Sequence, residues 1–211
     1  TEVIDWNEMK DLTLSLLLAQ VPTIDIVQDH AIWAIMYNFS KKNNVKNILT
    51  GGNLHTESVR EPLEWAYHAT DLTHIKDIHK KFGKIKLEKF PTCDILTYQL
   101  IYKYLYYIKI HQPLNYIKYN KKEAIEELTK EIGWSDYGGK HHESNFTKFI
   151  EGYWMPEKFG YDKRKVHLSS LIHTNQILRE TAITEIKKKS YNDSEIEKDF
   201  KYIASKLGLT Y

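Results

Sequence analysis

The sequence predicts an α/β protein, with one edge of a parallel-sheet βαβ unit at the amino end and a mainly helical region behind it. Three observations carry this reading. A helical stretch from about Val27 to Lys42 places Ile32, Ile35, Met36 and Phe39 on one face and stops at Asn43-Asn44. The short β-prone run Val45 to Thr50 follows and enters Gly51-Gly52-Asn53 directly. Helix, turn, short strand and glycine loop in that order describe one edge of a βαβ unit, whose ligands sit at the carboxyl ends of strands. Beyond residue 70 the pattern is almost wholly helical, so the chain divides into an α/β part over 1–70 and a helical part over 71–211.

The elements follow in order. Asp5-Trp6-Asn7-Glu8 has the spacing of a capping box, and Met9, Leu12, Leu16 and Leu17 continue at helical intervals until Pro22. Further helices are expected at about Asp71 to Phe82, Asp94 to Lys109, Lys121 to Ile132, Asn145 to Tyr153, Asp162 to Ile172, Gln176 to Lys188 and Ser194 to Leu207. Asn120 and Asp193 supply starts, and Gly133 and Gly208 supply stops. One strand among so many helices cannot satisfy its own backbone. The expectation is therefore that the missing strands precede Thr1 and that this is the carboxyl-terminal part of a larger α/β enzyme.

Composition narrows the function classes. The 211 residues are 42% hydrophobic and 27% charged, with 15 Tyr, 7 Phe and 5 Trp, enough apolar bulk to offset the entropy of ordering a real core. No apolar run approaches the roughly 20 residues that span a bilayer, and nothing at the start reads as a signal peptide, so a cytoplasmic protein is expected. The single Cys93 excludes an internal disulfide and a CxxC metal knuckle. Net charge is only +2, which argues against a global nucleic-acid or membrane field. Of the 30 basic residues only Arg60, Arg164 and Arg179 are arginines, so an arginine here is a candidate for its bidentate fork.

Two segments could carry chemistry. In Thr50-Gly51-Gly52-Asn53-Leu54-His55-Thr56-Glu57-Ser58-Val59-Arg60, adjacent glycines allow backbone amides to approach a ligand, and Arg60 offers a fork for phosphate or carboxylate. A tight strand-to-helix turn with solvated polar residues is the competing explanation. The second segment holds Lys140, His141, His142, Glu143, Lys148, Lys158, Lys163, Arg164, Lys165 and His167, a candidate polyanion clamp for a polyphosphate leaving group. A solvated basic face explains the same pattern. His68, His74 and His79 do not share a helical face, and adjacent His141 and His142 point apart, so no metal site is assigned. Cys93 lacks any hydrolase signature and reads as packing. The tyrosines at 98, 102, 104, 106 and 107 spread around their helix, as in a buried or partner-packed element.

Read together, the segments resemble the N-acetyl sugar amidotransferases of bacterial surface-polysaccharide and lipopolysaccharide O-antigen biosynthesis. The resemblance rests on Asp5-Trp6 with Glu8-Met9-Lys10, Gln28 to Ile32, Ile48 to Arg60, Pro62 to Trp65, Phe90-Pro91 with Cys93 to Tyr98, and Pro113 to Tyr116. It continues through Lys140-His141, Glu143-Ser144, Phe146 to Phe149, Glu151 to Trp154 and Lys158 to Arg164. That family is similar to the PP-loop ATP pyrophosphatases, relatives of asparagine synthetase. The resemblance implies an incomplete Rossmann-like, PP-loop (HUP-type) domain at the amino end. It further implies ATP with Mg2+, adenylation of a sugar N-acetyl oxygen, and displacement of AMP by ammonia from separate glutaminase subunits to leave an acetamidino group. By the same resemblance Gly51, Gly52 and Asn53 lie beside the nucleotide or adenylated intermediate, and Glu57 and Arg60 lie in the substrate cleft. Lys140, Lys148, Lys163 and Arg164 form the pyrophosphate clamp, while His141 and Glu143 orient the amide or ammonia. The family's phosphate loop, Ser-Gly-Gly-x-Asp-Ser, is absent from the sequence, so the chain alone is expected to bind ATP poorly. The rivals are a non-catalytic module that docks the glutaminase, and another PP-loop ligase, either tRNA-modifying or NAD-forming; near-neutral charge disfavours tRNA.

Overall fold

The computed structural model describes residues 4–135 and 143–210. Contacts divide the chain into two units that interleave in sequence: one comprises residues 1–48 and 63–111, the other 49–62 and 112–211. The sequence reading placed a single boundary at residue 70.

The first unit is built on α1 (Trp6–Ala19), α2 (Ile26–Lys42) and α4 (Leu72–Phe82). Asp5 caps α1 by accepting from the amides of Asn7 and Glu8 at 3.1 and 3.3 Å. Leu12 and Leu16, one turn apart, are fully buried, and α4 packs against α1 with Ile75 inside. The Glu8 of the expected capping box does not turn back to Asp5. Its carboxylate instead accepts from the amides of Glu88, Lys89 and Phe90, at 2.6 to 3.1 Å. One turn on, Asp11 accepts from the amides of Lys84 and Ile85 and from His79 Nε2 at 2.9 Å. Two acids on one helix face thus satisfy the backbone of a loop with no ladder of its own. In α2 the fully buried His30 does similar work, its Nδ1 donating to Ala69 O at 2.6 Å while Nε2 accepts from the Cys93 amide at 3.2 Å. Those partners fix the neutral tautomer, and burial holds the ring's pKa below its ordinary value.

The strand β1 (Asn47–Leu49) has its partner downstream, in β2 (Lys109–His111), and the two make a two-stranded parallel sheet. This corrects two expectations. The helix expected to run to Lys109 ends as a π-helix over Thr97–Leu105, and β1 is not a lone strand. Tyr107 adopts a positive φ of 56°, which turns the chain before Ile108. Ile108 then joins Ala34, Tyr37, Ile48, Cys93 and Tyr102 in one buried cluster. Burying two β-branched residues against aromatic rings outweighs the local helical pattern. A Rossmann-like domain is not seen: among the described residues the sheet has these two strands.

The second unit is helical among its described residues. It contains α3 (Leu54–Glu57), a 3-10 turn at Pro113–Tyr116, α5 (Lys121–Ile132), α6 (Asn145–Phe149), α7 (Met155–Phe159), α8 (Arg164–His173), α9 (Arg179–Ile186) and α10 (Asp193–Leu207). The expected stops at Gly133 and Gly208 close α5 and α10, whereas α10 is capped by Asn192 rather than Asp193. The helix expected to end at Tyr153 runs on through a π-segment, Ile150–Trp154, into α7. A Cβ on Gly152 would meet the Tyr191 ring at 2.8 Å, so glycine lets this segment approach the residues before α10. No helix among the described residues is long and apolar enough to cross a membrane.

Candidate functional site

The glycine loop lies wholly in the second unit. Asn53 is 6% exposed and caps α3, accepting from the Thr56 amide at 2.9 Å while its own amide group donates to Gly51 O at 3.2 Å. Both ends of its side chain thus shape the turn. Gly52 lies close under the Gln112 side chain, since a Cβ there would come within 2.8 Å of Gln112 Nε2 and would displace the end of that side chain. Gly51 faces open space.

Residues to which the sequence reading gave no role hold this loop. Asn115 Oδ1 accepts from the Leu54 amide at 2.7 Å, and its Nδ2 donates to Gln112 Oε1 at 3.0 Å. The fully buried Ser170 of α8 accepts from the Val59 amide at 3.0 Å. Thr174 Oγ1 and Gln176 Nε2 both donate to His55 O, at 2.7 and 3.1 Å. Asn115 falls in the Pro113 to Tyr116 motif, so a signal was present for it. Ser170, Thr174 and Gln176 read as ordinary helix-surface residues, and their value comes only from tertiary placement.

The clamp candidates are held by carboxylates. Lys163 Nζ lies 2.8 Å from Glu151 and 3.1 Å from Glu61, a contact joining the end of the glycine-loop segment to α8 and the π-segment. Arg164 grips Asp162 with Nε and Nη2, at 3.0 and 2.7 Å, and donates Nη1 to Lys188 O at 3.0 Å. Lys148 lies between Glu195 and Asp199 at 2.5 and 3.3 Å, above the Tyr191 ring. Burial alone would depress the Lys148 ammonium, but these two carboxylates outweigh it and hold the pKa above its ordinary value. The structure therefore assigns the three cations to three separate sets of acids. Glu57, Arg60 and Glu143 are exposed, and Glu57 also accepts weakly from the Asn53 amide at 3.4 Å. Lys140 and His141 lie outside the described residues.

A triphosphate with Mg2+ calls for converging amide donors and cations whose charge is not already neutralised. The residues expected to hold it do not fit that need as they stand, since Asn53 is committed to its turn, Gly52 is covered by Gln112, and Lys148, Lys163 and Arg164 face acids. Among the described residues no three His, Cys, Asp or Glu side chains gather as metal ligands. His79 is taken by Asp11, His68 by Thr70, and His74 stacks on Tyr67 with ring centroids 3.6 Å apart. Cys93 is 2% exposed, and burial, aided by Asp94, pushes its thiol up to about 11, which is packing rather than a nucleophile.

Comparison with known proteins gives one result. No curated protein and no solved structure matches the chain significantly. Residues 143–211, about a third of the chain, match the family described as LPS biosynthesis protein WbpG-like, C-terminal domain; at that level this carboxyl-terminal part is similar to a protein of lipopolysaccharide biosynthesis.

Proposed function

We propose that the chain is part of an ATP-dependent amidotransferase of lipopolysaccharide biosynthesis, which converts a sugar N-acetyl group to an acetamidino group. The observation that carries the reading is the match of residues 143–211 to the lipopolysaccharide family. It falls on Phe146 to Phe149, Glu151 to Trp154 and Lys158 to Arg164, the same strings on which the amidotransferase resemblance rests. An amide oxygen leaves poorly until it is esterified to phosphate. In the proposed reaction it departs with AMP, and ammonia from a glutaminase subunit supplies the nitrogen that replaces it.

In this reading the second unit is the acceptor side. The turn at Gly51 to Asn53, fixed by Gln112 and Asn115, forms one wall. The exposed Arg60 meets an acidic group of the sugar, and Lys163, between Glu151 and Glu61, fixes the end of the same loop. Lys148 and Arg164 act by holding the helices around it.

The test gives the full-length protein ATP, Mg2+, ammonium and a panel of N-acetylated sugars, free and nucleotide-linked, and records AMP and product mass. The expected product is lighter by about one dalton, the exchange of O for NH, with one AMP formed per product. Absence of AMP with every acceptor would sink the proposal.

A further inference from the structure

We infer that the outer face of the π-helix, in the first unit, is a docking surface for an anionic bilayer, met at its surface and not spanned. Tyr98, Tyr102 and Tyr106, four residues apart, form the inner row of this helix. Tyr102 is buried, stacks on Tyr37 with ring centroids 4.8 Å apart and donates its hydroxyl to Asn38 at 2.8 Å. Leu96, Leu100 and Tyr104 are each offset from that row by two residues, about half a turn, and lie outside, 70%, 55% and 62% exposed. Leu105 and Tyr107 extend the same apolar surface at 67% and 66%. A helix that faces water keeps polar residues on its outer side, and one that is apolar all round is covered. Here α2 covers the inner row, and the outer row stands open, a patch of the kind that marks an interaction surface.

Charge selects the occupant. Neither Ala31 to Asn47 nor Ile95 to His111 contains an aspartate or a glutamate. Lys41 lies over the Tyr106 ring at 5.1 Å, Lys46 donates to Tyr106 O at 2.8 Å, and Lys103 lies over the Tyr104 ring at 5.3 Å. Three ammonium groups thus gather at the carboxyl end of the helix, none with an acid partner among the described residues. At the other end Asp94 turns its two oxygens to the Thr97 amide and hydroxyl, at 2.8 and 2.9 Å. The chain's net charge of +2 hides this local excess, because the acids lie in other segments. A second copy seated on the same face would bring cations against cations. An anionic bilayer supplies what the patch lacks: hydrocarbon for the leucines, an interfacial layer for the tyrosine rings and negative headgroups for the lysines. The surface stands whether or not the chain forms an amidine.

The experiment is flotation of the full chain with phosphatidylcholine vesicles, with and without an equal part of phosphatidylglycerol, at low salt. It is repeated on Leu100→Ser/Leu105→Ser, on Lys41→Ala/Lys103→Ala and on Ile132→Ser/Leu178→Ser, a control on apolar residues equally exposed in the second unit. All six side chains are exposed, so the variants should unfold at the wild-type temperature. The expected result is that the chain floats with the anionic vesicles, stays down with the neutral ones and is released by high salt. Each patch variant should weaken partition by about tenfold or more, and the control by less than about twofold. Three results would overturn the surface: no flotation with anionic vesicles, equal loss in the control, or flotation that the serine pair leaves intact. A dimer in sedimentation that the serine pair dissociates would also overturn it, and would give the face to a second copy.

Discussion

The two units use the same residue types in opposite ways. In the first, the buried acids of α1 are spent on backbone, with Glu8 and Asp11 accepting from loop amides, while the ion pairs Lys81–Asp77, Lys86–Glu88 and Lys89–Asp5 use exposed lysines. In the second, Glu61, Glu151, Asp162, Glu195 and Asp199 are spent on Lys163, Arg164 and Lys148. Whether a cation can hold a ligand therefore depends less on how many basic neighbours it has in sequence than on where nearby acids find their donors. A loop whose amides lack a ladder takes up the most buried carboxylates and leaves more exposed ones to its lysines, whereas in the helical unit the partly buried carboxylates go to ion pairs.

The largest expected effect separates the units by stability. Lys163→Ala leaves Glu151 and Glu61 facing each other, with side chains only 9% and 27% exposed, and should cost about 3 kcal/mol in urea unfolding. Lys109→Ala removes an exposed charge with no acid partner among the described residues and should stay within about 0.5 kcal/mol. Equal costs would erase the distinction.

Acid titration sharpens it. Burial raises the Glu8 carboxyl, but the amides of Lys89, Glu88 and Phe90 together outweigh that and hold its pKa below the ordinary 4.5. A pKa depressed on folding contributes stability that is present above the unfolded value and is lost as pH falls through the folded one. The wild type should therefore weaken progressively below about pH 4.5, and Glu8→Gln, already neutral, should be less stable at pH 7 by about 2 kcal/mol with a flatter acid limb. Denaturant midpoints from pH 3 to 7 decide this; an unchanged acid limb would show that other acids dominate.

These features explain what the sequence could and could not reveal. Helix positions were legible because caps and apolar periodicity are local: Asn120 and Gly133 bound α5 where expected, and Asp5 caps α1. The second strand was hidden because Ile108 and Ile110 follow a tyrosine-rich helical pattern, and only burial against Ile48 makes them extend. The basic cluster at 148–164 was visible as a cluster, but its acids, Glu61, Glu195 and Asp199, lie 47 to 102 residues away along the chain. Lys103 and Lys109 looked like background lysines, since lacking an acid partner is a property of the folded neighbourhood.

The smallest effect tests whether the glycine loop is held from outside itself. Asn115 gives the Leu54 amide its partner and reaches Gln112, which in turn covers Gly52. Asn115→Ala should cost about 1 kcal/mol, the worth of one cap-like hydrogen bond. Asn115→Asp keeps the acceptor for the Leu54 amide but loses the donor to Gln112, so it should recover most of that loss while freeing the Gln112 side chain. Amide exchange reads the difference: the Leu54 amide should exchange faster in the alanine variant and near the wild-type rate in the aspartate variant. If both variants exchanged alike, the turn formed by Asn53 and Thr56 would hold the loop by itself, and the glycine loop would be a self-contained cap rather than a wall fixed by the 3-10 turn.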